Sequence, residues 1–238
     1  MGKNLDCCIV VPVYQQMMVH EYLSFQRLIQ VFGKSEYQNH IYILTHQGIS
    51  ANEFCAIYDK VNVIYIDEKY FKNGITGYNL LMGSSNFYNI FINYKYMLIH
   101  QLDCFMFNNN LKHFIDLGYD YYGAPMMNVI EYNKKNEIIC KFPEVMVGNG
   151  GLSLRKVQTF YDFCKKNNDK IDHNEDVFFC YYHKDEFNIC PIEVAKEFSF
   201  DTSPNELFTE TKKLPMGCHG YYKWGIDWIT KIMEMHWS

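Results

Sequence analysis

Nine cysteines, at positions 7, 8, 55, 104, 140, 164, 180, 190 and 218, include no C-x-x-C pair, and only Cys218-His219 bring two metal-ligand types together. An odd number of evenly spread thiols excludes a disulfide framework and argues against structural zinc. It reads as a reduced, cytoplasmic protein. Basic clusters are missing as well: the net charge is −5, and the 20 Tyr and 18 Phe are not interleaved with Lys and Arg, which excludes a nucleic-acid footprint. No apolar run is long enough to cross a bilayer, and the first, Cys7 to Tyr14, is interrupted by Pro12. Neither a transmembrane span nor a signal peptide is expected, so any membrane contact is peripheral. Met1-Gly2 is followed by Asp6 where a myristoylation signal needs Ser or Thr. Gly74, Gly77 and Gly83 fit neither G-x-G-x-x-G nor G-x-x-x-x-G-K-[ST], which removes the dinucleotide-binding and P-loop readings.

What is present is a globular composition, 48% hydrophobic and 21% charged over 238 residues, enough for one large domain with its own core. Strand and helix signals alternate over short links. Asp6 to Tyr14 reads as a buried strand, followed by a helix from His20 to Phe32 that Gly33 stops. His40 to Thr45 is a second strand, Ser50-Ala-Asn-Glu53 a capping box opening a helix to about Tyr58, and Val61 to Asp67 a third strand. An apolar helical run from Asn86 to Ile92 leads into the strand Tyr96 to Ile99, whose apolar run fits a position covered on both faces. Such alternation predicts an α/β fold: a mostly parallel, doubly wound sheet flanked by helices. Tyr119 to Gly123 reads as a further strand. Ala124 to Met146, with its charged Asn133 to Glu137 tip, reads as a loop or hairpin over the site.

The candidate site residues cluster where such a sheet binds ligands. Asp103 follows the central strand at its carboxyl end, so it either holds a cation on a diphosphate or caps the Asn108 to Leu117 helix region. Gly148, Gly150 and Gly151 precede the alternating Leu152-Ser153-Leu154, which indicates either a backbone approached closely by a ligand or a plain glycine turn. Glu175-Asp176 open a helix whose apolar residues Val177, Phe178 and Tyr181 face inward, so the two acids are functional or simply favoured by the helix dipole. His219 lies between Cys218 and Gly220, off any packed apolar face, and Lys223 is placed to meet a phosphate. An amphipathic helix is expected from Ile226 to about Met235.

In this order the features resemble the GT-A glycosyltransferases, whose DxD-type acid and late histidine hold a metal on the donor diphosphate. The segments Q-L-D-C-F-M-F, G-Y-D-Y-Y-G-A-P, V-G-N-G-G-L-S-L-R, E-D-V-F-F and C-H-G are similar to a bacterial family regarded as glycosyltransferases and catalogued as a domain of unknown function. The resemblance runs from about Tyr94 to Trp224. It implies a Rossmann-like GT-A domain over residues 1–238, with a nucleotide-donor half (1–107) and an acceptor half with a closing segment (108–238). It places Val11, Pro12, Val13 and Tyr14 beside the nucleotide, with Gln101, Asp103, Gly150, Gly151 and Lys223 also on the donor side. Asp103 and His219 become ligands of Mn²⁺ or Mg²⁺, Asp176 the base of an inverting transfer, and Glu175 its neighbour orienting the acceptor. The donor implied is a UDP, GDP or dTDP sugar, and the acceptor a glycan or lipid-linked glycan such as capsule or lipopolysaccharide. Gln101 stands where a DxD has its first acid, which removes one charge from the metal site. Two rivals remain. A nucleotidyltransferase requires a glycine-rich, basic loop after strand one, which Pro12-Val-Tyr-Gln-Gln lacks, and a non-catalytic sugar- or nucleotide-binding protein tolerates the missing acid.

Overall fold

The computed structural model describes residues 5–127, 130–132, 138–141, 145–225, 228, 230 and 234. The chain opens with β1 (Leu5–Pro12), α1 (Val19–Phe32), β2 (Ile41–Thr45), α2 (Asn52–Ile57) and β3 (Asn62–Tyr65). α3 (Ile75–Met82) and α4 (Ser85–Ile90) then lead into β4 (Tyr94–His100). These four strands are parallel in the order β3-β2-β1-β4, with Ile9 opposite both Ile41 and Leu98. Cys7 to Val11 and Tyr96 to Ile99 are fully buried, as expected of inner strands covered on both faces. The helices contribute Phe25, Leu28 and Phe32 of α1 and Phe54 of α2 to the same core. Seven thiols are buried and only Cys55 is exposed among the free cysteines described, so most of them act as small core residues.

Beyond β4 the chain makes β5 (Cys104–Met106), α5 (Leu111–Leu117), β6 (Tyr121–Tyr122), β7 (Ala124–Met126), β8 (Ile130–Tyr132), β9 (Ile138–Lys141) and β10 (Met146–Gly148). It then returns at the sheet edge where β4 ended, so β11 (Leu152–Lys156) must run back antiparallel, between β4 and β6. A backbone hydrogen bond from Gln101 to Gly151 (2.9 Å) marks that shared edge. α6 (Val157–Lys166), α7 (Glu175–Val177) and α8 (Ile192–Phe198) follow. The last elements are β12 (Ser199–Phe200), α9 (Pro204–Thr211) and β13 (Gly217–His219). β12, β13 and β5 form a second small sheet over its own core of Phe105, Phe107, Phe200, Leu207, Cys218, Tyr221 and Trp228. This pairing sets His219 opposite Cys104, one residue from Asp103.

Several local expectations are corrected. The capping box at Ser50 does not form: the Glu53 carboxylate accepts from the Met17 N–H (3.1 Å), while Glu21 caps α1 by accepting from Met18 (2.7 Å). The helix after Asn108 begins only at Leu111, and Asp103 does not cap it. The helix opened by Glu175 lasts three residues before Phe178–Tyr182 wind as a π-helix, so Phe178, Phe179 and Cys180 are buried and Tyr181 turns outward. The strands described within 124–146 agree with the expected hairpin, β7 antiparallel to β10 and β8 to β9, while residues 128–129, 142–144 and the 133–137 tip lie outside the described residues. So does most of the expected 226–235 helix, of which residues 228, 230 and 234 are helical. Among the described residues no helix is long and apolar enough to cross a membrane.

Candidate active site

A cavity of about 390 Å³ opens at the carboxyl edge of β1 and β4. Pro12, Tyr14, Gln101 and Asp103 line it from those strand ends, Gly150 and Gly151 from the turn before β11, Glu175 and Asp176 from α7, and His219 and Lys223 from the tail. Val11 and Val13 are not among its lining: their side chains are buried in the core. Parallel strands deliver their carboxyl ends to one edge, and the antiparallel β11 brings its amino end there too.

One end of the cavity is built around His219. Its Nε2 lies 3.0 Å from Asp103 Oδ1 and 3.2 Å from Gln101 Oε1, and its Nδ1 lies 3.2 Å from Asp201 Oδ1. Burial opposes a charge on the ring, but the two carboxylates outweigh it and push the His219 pKa up to about 9. Burial likewise opposes the charge of Asp103, yet His219 and Lys223 hold its carboxyl below the ordinary value. Lys223 reaches this end because Gly220, at φ +64°, turns the chain after β13 and sets Nζ 3.7 Å from Asp103 Oδ2.

The other end is drier. Asp176 accepts from the Asn149 N–H (3.0 Å) and from the Val177 N–H (2.9 Å). Among the described residues no cation stands at ion-pair distance from it, and burial pushes its pKa up despite those hydrogen bonds. Glu175, the orienting neighbour in the expected scheme, is instead buried against Arg155, with Nη2 2.8 Å from Oε2. Burial pushes the Glu175 carboxyl up while the guanidinium pulls it back.

The two glycines between these ends are required by packing. A Cβ on Gly150 would overlap the Glu175 carboxylate, and one on Gly151 would run into the His219 ring and Gln101. The close approach expected from the sequence is therefore made by the site's own side chains. Sequence reasoning missed Asp201, Asn149, Tyr78, Asn79 and Arg155. Asn149, at φ +64°, accepts from the Gly151 N–H (3.0 Å) and lies 3.1 Å from His219 Nδ1. Tyr78 donates to the Gly150 carbonyl (3.0 Å), and Asn79 accepts from the Glu175 N–H (3.1 Å). The one available signal was Asn149 itself, since a non-glycine residue beside two glycines is a candidate for the left-handed conformation.

The donors at the His219 end suit a hard divalent cation in type, namely carboxylate, amide oxygen and imidazole nitrogen. Among the described residues no three His, Cys, Asp or Glu side chains form a metal-holding group. On these side chains alone a cation's shell would be incomplete, and His219 would have to give up its proton to join it.

Solved structures that share this fold include three glycosyltransferases. The bifunctional glycosyltransferase WbbM (apo) aligns with TM-score 0.58 at 11% identity over 98% of this chain, which spans only 51% of that protein. Mouse xyloside xylosyltransferase 1 (apo) aligns with TM-score 0.54 at 12% identity, covering 93% of this chain and 100% of its own. The galactosyltransferase LgtC, solved with donor and acceptor sugar analogues, aligns with TM-score 0.54 at 15% identity, covering 96% and 94%. At such identities the likeness establishes the fold, that of the GT-A glycosyltransferases. No curated protein matches the sequence. Residues 60–219, which run from β3 to the late histidine and include both ends of the cavity, match the family described as protein of unknown function (DUF5672), and the chain belongs to that family.

Proposed function

We propose that the protein is an inverting glycosyltransferase moving a sugar from a UDP, GDP or dTDP donor to a hydroxyl of a glycan or lipid-linked glycan. The observation that carries this reading is the division of one cavity between a cation-flanked acid, Asp103, and an acid, Asp176, with no cation partner among the described residues. Tyr14 and Pro12, from the 1–107 donor half, border the nucleotide, while Lys223 and the Gly150–Gly151 turn reach the diphosphate from the 108–238 half, which also brings Asp176 to the acceptor. Asp103 and His219, with Gln101 beside them, hold a Mn²⁺ or Mg²⁺ ion, which neutralises the leaving diphosphate when bound. Asp176 accepts the proton of the attacking hydroxyl. Its raised pKa suits a base, because a carboxylate closer in basicity to its substrate transfers protons better. Glu175 supports Asp176 from the adjacent position.

Gln101, standing where a DxD has its first acid, favours a second reading: a sugar- or nucleotide-binding protein without turnover. Thermal shift of the pure protein against UDP, GDP and dTDP, with Mn²⁺ or chelator, tests the site. A ligand at a hundredfold its dissociation constant should stabilise by about 2.7 kcal/mol. Release of the diphosphate from the matching sugar nucleotide separates enzyme from binder, and the product anomer tests inversion.

A further inference from the structure

We propose that Arg155 is a positioning residue: through Glu175 it fixes Asp176 at the dry end of the cavity, and through Ser153 the adjoining Gly150–Gly151 turn, so that Glu175 serves the base rather than the acceptor. This rests on reading Asp176 as the base. Arg155 is fully buried on β11, and its guanidinium carbon lies 5.4 to 5.9 Å from the rings of Tyr121, Phe160 and Phe179. Within that aromatic cage each nitrogen donates to a different side chain. Nε donates to Ser153 Oγ (3.0 Å), Nη1 to Tyr88 Oη (3.0 Å) and Nη2 to Glu175 Oε2 (2.8 Å). Ser153 passes the restraint on by donating to the Gly150 carbonyl (3.1 Å), which Tyr78 holds from the other side.

Burying an ion pair among rings is a poor route to stability, because apolar side chains of the same volume usually do as well. A planar guanidinium fork supplies direction instead, fixing several partners at once. Direction is needed here. α7 has three residues and a π-helix behind it, too little regular helix to hold its own orientation. Asp176 is therefore placed by its neighbours: the Glu175 carboxylate clamped by Arg155, the Glu175 N–H held by Asn79, and the Asn149 N–H on Asp176 itself.

The test uses full-length Glu175→Gln and Arg155→Lys. Gln still accepts from Arg155 and Lys keeps the charge, so both are expected to fold, as checked by circular dichroism melts. Carbon-13 shifts of the Asp176 carboxyl, assigned with Asp176→Asn, give its titration without reference to activity. The groups facing it are Glu175 and Cys180 from its own segment, Tyr121 from β6 and Arg155 from β11, and only Glu175 and Arg155 are altered. In Glu175→Gln the titration should shift, because the group that Arg155 clamps beside Asp176 has changed. Turnover in both variants should fall by about 10²-fold with donor KM unchanged, the size of effect a misplaced group produces. Wild-type Asp176 titration in folded Glu175→Gln, or wild-type turnover in Arg155→Lys, overturns the proposal. Wild-type turnover in Asp176→Asn would instead overturn the base reading, leaving the carboxyl titration to decide whether Arg155 and Glu175 govern Asp176.

Discussion

The two ends of the cavity hold the same kind of group in opposite states. Asp103 is flanked by His219 and Lys223, which hold its carboxyl below the ordinary value. Asp176 has backbone N–H donors and, among the described residues, no adjacent cation, and burial pushes its carboxyl above the ordinary value. When two carboxylates in one cavity are pushed apart in this way, their environments assign them different work. The strongly anionic one attracts cations and, through them, phosphate oxygens, while the more basic one can accept a proton. The separation is enforced by the turn between them, where Gly150 backs onto Glu175 and Gly151 onto His219.

The largest effect that tests this contrast is expected at the dry end. Asp176→Asn should lower turnover roughly 10² to 10⁴-fold while nucleoside diphosphate affinity holds. Both carboxylate oxygens accept a backbone N–H, and an amide can accept at only one of them, so this variant should also lose about 1 to 3 kcal/mol of stability. Near wild-type turnover in the folded variant would falsify the base assignment. The pH dependence should agree: the acid limb of turnover is expected above the ordinary carboxylate range, since activity appears only as Asp176 loses its proton.

Asp103→Ala comes next and should weaken nucleoside diphosphate binding in Mn²⁺ by about 10- to 100-fold, the worth of one or two contacts to a charged group. Calorimetry in Mn²⁺ and in chelator separates the cases. Equal loss in both removes the metal role, and no loss removes the site.

Substituting the paired glycines compares the two ends directly. Gly150→Ala forces a methyl onto a buried ion pair with no room to move, at a cost of roughly 1 to 3 kcal/mol or more. Gly151→Ala meets an 18% exposed histidine that can swing aside, so its stability cost should be smaller and its loss should show in nucleotide binding. Chemical denaturation and calorimetry on the two variants check both statements. The reverse ranking would mean that the His219 end is the rigid one.

How much of this was legible in the sequence follows the same division. β1, β2, β3 and β4 are short apolar runs separated by amphipathic helices, and such periodicity survives folding because each element is specified locally. The acids, the glycines, His219 and Lys223 were visible as residue types at plausible strand ends. What brings them together was not. β13 pairs with β5 across more than a hundred residues, and three-residue strands carry no period to read. The partners Asp201 and Asn79 gave no local sign, since their roles exist only through that pairing and through α7. Arg155 carried no local sign either, because burying a guanidinium depends on rings contributed by β6, α6 and the π-helix. Tyr181 was misplaced for a related reason: an inward face counted at α-helical spacing fails once the winding becomes π.

The smallest effect concerns the protonated end and is read from stability alone. The His219 pKa rises from the ordinary 6.5 to about 9 in the folded chain, so the folded state binds the proton more tightly than the unfolded one. Its contribution is therefore complete below about pH 6.5 and is lost as pH rises through 9. From about pH 8 the buried thiols, whose pKa values burial also raises, add a fall of the same sign, because they ionise more easily once unfolded. The window that isolates His219 is thus about pH 6.5 to 8. Urea denaturation in chelator across that window should show wild-type stability declining, and His219→Gln should start lower and stay nearly flat. His100 supplies the internal control. Fully buried, with no partner for either ring nitrogen among the described residues, it has its pKa pushed down to about 4 by burial. It stays neutral throughout the window and cannot produce the decline. A His219→Gln protein that loses stability with pH as steeply as the wild type would show that the imidazolium between Asp103 and Asp201 does not hold this end of the cavity together.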